Sequence, residues 1–344
     1  MNLDAPRLSI CIATFKRAAW IGETLRSVLM QAPADVEVVV VDGASPDATQ
    51  EAMQAFQHDA RVRYFREGTN SGVDRDYDKA VEYARGGYCW LMTDDDVLLP
   101  GAIKSVLAAC AGLPALIVVN AAVRDLELRD TLNAALLPVR EDQRFEPGQS
   151  EALFRETAKF LSFIGGLVVR RDLWLARQRS CYWGSAFAHV GVVFQAPLDA
   201  HAMVLAAPHV AIRYGNSMWS PRALEIWFNN WPRLVMGLDW MPSSSREIVA
   251  EMGPWRFAKK LLMYRAIGAL DHSHLGVGPI ANLPLQHRAW ASLIASVPRS
   301  LASTVAALYC LTGVAGAKMT AYDLAHAARP ARVSRWVAAR LGVR

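Results

Sequence analysis

The chain is short of the features that mark several protein classes. Its five cysteines, Cys11, Cys89, Cys110, Cys181 and Cys310, form no CxxC pair, which argues against a zinc ribbon, a redox motif or a disulfide framework. They mostly sit in apolar runs, as free thiols do in a reducing compartment. Charged residues make up only 20% of the 344 positions against 53% hydrophobic ones, so a folded protein with ample core is expected. No Gly-rich Walker loop, Ser/His/Asp arrangement, internal repeat or low-complexity segment occurs. Gly276-Val277-Gly278-Pro279 begins like a dinucleotide fingerprint, yet no strand precedes it and proline follows at once, so it reads as a loop. His272 and His274 lie beside Asp271 without matching ligands at metal spacing, which argues against zinc. Long apolar runs are missing too: Leu301 to Ala317 barely reaches the length of a spanning helix and is diluted by Ser, Thr and Gly. The opening MNLDAPRLSICIATF has an early acid and no small-residue cleavage site. It is expected to enter the first strand rather than serve as a signal peptide, in a cytoplasmic protein.

Acid is scarce in the last quarter. From Glu251 onward there are twelve basic residues and three acidic ones, although the whole chain carries only +5. The two ends should therefore meet different partners. Arg329 to Arg344, with Trp336, Val337 and Leu341 among five arginines, reads as an interfacial basic helix drawn to anionic lipid at an inner-membrane surface. Nucleic acid would satisfy the same charge, but no nucleic-acid fold accompanies it, and none is expected as a partner.

What is present is an alternation. Leu8 to Ala13, Val36 to Val41, Val62 to Phe65, Tyr88 to Met92 and Leu116 to Asn120 read as buried strands. Helical spacing follows the first at Ile21, Leu25, Val28 and Leu29, and an 11-residue helical stretch runs from Asp74 to Ala84. Unbroken apolar strands alternating with helices predict an α/β fold with a mostly parallel sheet and ligands at the strands' carboxyl ends. Phe163 to Arg170 reads as a strand or close-packed turn, and helices dominate from Pro221. Residues 1–220 are expected to form a catalytic domain and residues 221–344 a helical, basic region.

Asp94, Asp95 and Asp96 follow the buried run Tyr88 to Met92. Three adjacent carboxylates repel unless a cation or donors compensate them. An acidic turn capping the next helix is one reading. The other is a Mg²⁺ or Mn²⁺ site, because such ions take one or two protein carboxylates and complete their shell with substrate phosphates.

The segments SICIATFKRAAWIGETLRSVLMQ, VVVVDGASPDAT, NSGVDRDYDKAVEYARGGYCWLMTDDD and PGAI occur in this order and spacing. Together they resemble family 2 glycosyltransferases of the GT-A type, over about the first 110 residues. Gly72 to Ile103 is most similar to the abequosyltransferase branch, which adds a dideoxyhexose to a lipid-linked O-antigen unit. The resemblance implies a Rossmann-like GT-A sheet and an inverting transfer from a nucleotide-diphosphate sugar, CDP-linked by preference and otherwise UDP- or dTDP-linked, to a lipid-linked saccharide. It places Thr14 and Phe15 beside the base, Asp42 on the base or ribose, Asp94 at the ribose, Asp95 on the metal and Asp96 as an additional carboxylate. Arg75 and Asp76 would approach the nucleotide, although Asp76 and Lys79 could equally form a surface ion pair. Where many relatives carry a second acid after Asp42, this chain has Gly43. Where they place a Glu-Asp pair, it has WGSAFAHVGVVF. His189 then stands open as general base, metal ligand or buried structural histidine, with Asp199 as a weaker candidate base. Trp219 and Arg222 are candidate acceptor contacts, while Trp227 and Trp231 suit a core. A catalytically inactive nucleotide-binding module that recruits partners through its C-terminus is the alternative reading.

Overall fold

The computed structural model describes residues 5–251, 253–276 and 278–343. The readings that involve residues 1–4, Val277 and Arg344 thus lie partly outside the described residues. The chain divides into two compact units. One holds the chain up to Val123 together with Ala134–Arg213 and Gly237–Ser245; the other holds Arg124–Asn133, Tyr214–Met236 and Arg246 onward.

The first unit is built on β1 (Leu8–Thr14), β2 (Val36–Asp42), β3 (Val62–Arg66) and β4 (Tyr88–Met92). These four run parallel, in the order β3, β2, β1, β4. Every residue of β1, β2 and β4 is buried, as unbroken β-branched and aromatic runs covered on both faces require. The helix α1 (Ile21–Leu29) turns Ile21, Leu25 and Val28 inward at the i, i+4, i+7 spacing of one face. The further elements are α2 (Thr49–Gln54), α3 (Val73–Tyr83), β5 (Val97–Leu98), α4 (Ala102–Cys110) and β6 (Leu116–Arg124).

Beyond β4 the sheet becomes mixed. The order continues through β9 (Leu167–Arg170), β6, β10 (Ala202–Arg213) and β5, with β8 (Gln143–Phe145) paired to β10; β7 (Thr131–Asn133) falls in the second unit. β9 lies antiparallel to both β4 and β6, and the buried Trp90 indole donates to the Gly165 carbonyl at 2.9 Å, pinning the turn before β9. Three more helices complete this unit: α5 (Ser150–Thr157), α6 (Arg171–Ala176) and α7 (Ala188–Phe194).

The second unit is helical, with α8 (Ala223–Glu225), α9 (Trp231–Met236), α10 (Ser243–Ala250, begun in the first unit), α11 (Pro254–Ile267), α12 (Gly278–Ala281), α13 (Leu285–Ser296), α14 (Arg299–Cys310), α15 (Ala317–His326) and α16 (Arg332–Arg340). Phe228, Phe257, Leu261, Ile280 and Ile294 form part of its core.

Candidate active site

Because β1 to β4 are parallel, their carboxyl ends share one rim. Thr14 and Asp42 are the last residues of β1 and β2 and pair in register, and Asp94 to Asp96 follow the end of β4. All five side chains are buried. Burying three adjacent carboxylates demands compensation, and two arginines supply it. Arg17, in the loop after β1, places Nε 3.3 Å from Asp94 and a terminal nitrogen 3.2 Å from Asp95. Arg213, the last residue of β10, donates from its backbone N–H to Asp96 Oδ1 at 2.7 Å and from Nε to the Asp95 carbonyl at 2.9 Å. Its guanidinium also pairs with Glu23 and lies 4.5 Å from the centre of the Trp20 ring.

The three aspartates are not equivalent. Asp96 turns inward, where the Thr93 hydroxyl and the Arg213 N–H donate to it, so it fixes the turn rather than offering a ligand as the sequence suggested. Burial first, and the charge of Asp95 second, push the Asp94 carboxyl up to about 7 against the opposing pull of Arg17. Asp96 is likewise held well above the ordinary carboxylate range by burial. This leaves Asp94 and Asp95 as a pair of hard oxygen donors at which positive charge is already drawn in, by Arg17. A divalent cation fits that donor set. No arrangement of three or more His, Cys, Asp or Glu side chains around one metal position occurs among the described residues, so substrate oxygens would have to complete the shell.

Asp42 reaches the rim with its carboxylate committed. It accepts from the Ser45 N–H at 2.8 Å and from the Tyr64 hydroxyl at 2.6 Å, with Arg66 at 3.8 Å. Each of its two oxygens thus already has a donor at the rim where the resemblance sets it on the base or ribose. Phe15 is partly exposed on the same loop, under the Lys16 ammonium at 5.2 Å.

Three acids of α3, two residues apart, each do a different task. Asp74 accepts from the backbone N–H groups of Ala186 and Ala188 at 2.9 and 3.2 Å, holding the start of α7. Asp76 accepts from the Ser71 hydroxyl at 2.6 Å and has Lys79 at 3.8 Å. Burial raises its carboxyl above the usual value. Asp78 takes the Trp174 indole at 2.9 Å and Arg179 at 2.7 Å. A Cβ at Gly43 would stand 2.6 Å from Asp76 Oδ2, so the space of the missing second acid after Asp42 is filled by the Asp76 carboxylate. The exposed Arg75 lies 4.7 Å from the Trp183 ring centre, a second tie from α3 to the segment before α7.

Both candidate bases are displaced from a catalytic role. His189 is buried, and its Nε2 lies 2.6 Å from the Leu161 carbonyl. A carbonyl only accepts, so that nitrogen carries the proton. Burial pulls the imidazole down to about 4. His189 is thus a core histidine. Asp199 pairs with Arg170, which stands opposite Tyr88 at the amino end of β4; the aspartates follow the other end of that strand. A separate cavity lined by Arg170, Arg177 and Asp199 lies there.

Trp219 and Arg222 belong to the second unit. Trp219 packs edge-on against Trp227 with centres 6.3 Å apart, Trp227 against Trp231 at 6.2 Å, and Arg222 pairs with Glu225 at 2.9 Å. His274 bonds Asp271 at 2.9 Å in a short turn.

Sequence comparison meets the same region. The model for "Glycosyl transferase family 2" matches residues 9–173, the span that carries β1 to β4, the aspartates and β9. Residues 9–173 belong to glycosyl transferase family 2. Abequosyltransferase RfbV of Salmonella typhimurium is 24% identical over 205 residues, covering 55% of this chain and 62% of that protein. A GalNAc(5)-diNAcBac-PP-undecaprenol beta-1,3-glucosyltransferase of Campylobacter jejuni is 30% identical over 104 residues, 30% of this chain and 34% of the relative. The chain thus spans from a third to about three fifths of the length of these relatives. Among solved structures, S. aureus TarS 1-349 aligns over 87% of this chain and 91% of its own with a TM-score of 0.54 at 15% identity, which establishes the GT-A fold. The residues that sequence reasoning missed are Arg17 and Arg213. Arg17 could have been suspected as a base in the first loop of a sheet whose ligands gather at strand ends; Arg213 lies more than a hundred residues from the acids it holds and carries no local signal.

Proposed function

We propose that this protein is an inverting glycosyltransferase that moves a sugar from a nucleotide-diphosphate donor to a lipid-linked saccharide, at the cytoplasmic face of an inner membrane. The observation that carries the reading is the pairing of Asp94 and Asp95 with Arg17 at the shared carboxyl rim of β1, β2 and β4, the place where open α/β sheets bind ligands. The PP-undecaprenol saccharide in the name of the Campylobacter jejuni relative supports the acceptor class. Asp94 and Asp95 would hold Mg²⁺ or Mn²⁺; when bound, the cation supplies charge neutralisation for the departing diphosphate. Arg213 keeps the aspartate turn fixed through Asp96 and the Asp95 carbonyl, so the acids meet the donor without rearranging. Asp74 and Arg75 hold the segment before α7 against α3. The exposed Trp219 indole offers a stacking surface for an acceptor sugar. A deoxyhexose such as abequose, carried on CDP, is the donor we favour.

The test is turnover. Purified protein with Mn²⁺ is offered CDP-, UDP-, dTDP- and GDP-linked sugars together with a membrane lipid extract, and nucleoside diphosphate release and the anomeric configuration of the product are followed. Release from one donor with inversion supports the reading. Retention of configuration would overturn the inverting mechanism, and no release from any of the four while a nucleotide still binds would favour an inactive nucleotide-binding module instead.

A further inference from the structure

The helix α14 is built inside out. Its small side chains, Ala302, Ala306, Ala307 and Cys310, are buried, and Ser303 bonds the Ser334 hydroxyl of α16 at 2.8 Å. Its large apolar side chains face outward: Leu301 is 53% exposed, Val305 48%, Leu308 48% and Tyr309 45%. At 100° per residue these four fall within roughly a quarter to a third of the helix circumference. Burying small groups and exposing large ones reverses the usual order for a surface helix, so the face requires a cover.

A base lies beside this face. The Lys259 ammonium of α11 lies 5.0 Å from the Tyr309 ring centre, and one turn earlier on α11 stands the exposed Trp255. In α16 the residue Val337 is buried, while Arg332, Arg335, Trp336 and Arg340 are exposed. This helix packs its Ser334 and Val337 face against the Ser303 side of α14, so its exposed arginines do not line the apolar stripe. Among the described residues no single helix is long and apolar enough to cross a membrane; α13 and α14 pass such a test only as a pair bent by 99°. An apolar face beside a base, without a span, has the composition of an interfacial anchor.

We infer that the outward face of α14, with Lys259 and Trp255 of α11, is a docking surface for an anionic lipid bilayer. The apolar side chains enter the headgroup boundary, and Lys259 meets lipid phosphates. This deepens the membrane setting of the proposed function by naming the surface, and its test needs neither donor nor acceptor.

Cosedimentation of the full chain is measured with vesicles of phosphatidylcholine mixed with phosphatidylglycerol and with vesicles of phosphatidylcholine alone. Binding is expected to the anionic vesicles, to weaken with added salt, and to fall by about tenfold or more in the double variant Leu301→Ser, Leu308→Ser. Both positions are exposed, so the variant's thermal midpoint and its nucleotide binding should match those of the parent, which separates loss of docking from misfolding and from failure of the enzymatic reading. No binding of the parent to anionic vesicles, or equal binding by the variant, would overturn the inference. So would a lipid-free dimer of the parent that becomes monomeric in the variant, because a second copy of the chain would then be the cover.

Discussion

Replacing Arg17 by methionine should destabilise the protein in a pH-dependent way. The guanidinium reaches Asp94 at 3.3 Å and Asp95 at 3.2 Å from a largely buried position. Removing one partner of a buried ion pair ordinarily costs about 3 to 5 kcal/mol, because the remaining charge is left without compensation. Here relief is at hand, since the Asp94 carboxyl already stands at about 7 and can take a proton. Loss of Arg17 raises it further above its unfolded value, so the folded state binds more protons than the unfolded one and stability falls as pH rises. The penalty should therefore be about 3 kcal/mol near pH 8 and shrink to about 1 kcal/mol near pH 6, where protonation substitutes for the arginine. Urea unfolding of parent and Arg17→Met at several pH values measures it directly, and added Mn²⁺ should restore more stability to the variant than to the parent. A penalty below about 0.5 kcal/mol, or one constant across this range, would refute the view that Arg17 compensates these carboxylates.

Two other substitutions probe the neighbourhood. Gly43→Ala puts a methyl group against Asp76 Oδ2 and should cost about 1 to 2 kcal/mol; adding Asp76→Ser should recover about half of that, and strict additivity of the two changes in unfolding would show that they do not meet. His189, held at about 4 by burial, binds fewer protons folded than unfolded, so stability should fall as pH drops from about 6.5 towards 4, by up to about 3 kcal/mol. His189→Asn should lack that part of the acid limb while leaving the pH profile of transfer unchanged; a shifted profile would return His189 to catalysis.

The parallel half of the sheet was legible because its strands are unbroken apolar runs. Tyr88 to Met92 and Val36 to Val41 match β4 and β2 to within a residue, and reading Asp94 to Asp96 at a strand's carboxyl end followed from that. The mixed half was legible only in part: Leu116 to Asn120 and Phe163 to Arg170 mark β6 and β9, but not their antiparallel pairing. β10 carries Pro208 and His209 among its twelve residues, which blurs a strand pattern, and β9 is four residues long, preceded by two short helical turns. Side-chain tasks were harder still. Sequence spacing brings Asp42 to the rim but says nothing of Tyr64, which donates to it, or of the Leu161 carbonyl, which accepts from His189; both arrive from elsewhere in the chain. Gly43 shows the converse. A missing acid looked like a lost contact, and three-dimensional packing places the carboxylate of Asp76 in that space.

The measurement that bears most directly on the account is calorimetric binding of CDP, UDP, GDP and dTDP to the full chain, with and without Mn²⁺, for the parent and for Asp95→Ala. If Asp94 and Asp95 hold a cation for a nucleotide-diphosphate donor, one nucleotide should bind with Mn²⁺, weaken by about tenfold or more without it, and lose that metal dependence in the variant. Binding that is equally tight with and without Mn²⁺ and unchanged by Asp95→Ala, or no binding of any of the four, would contradict it.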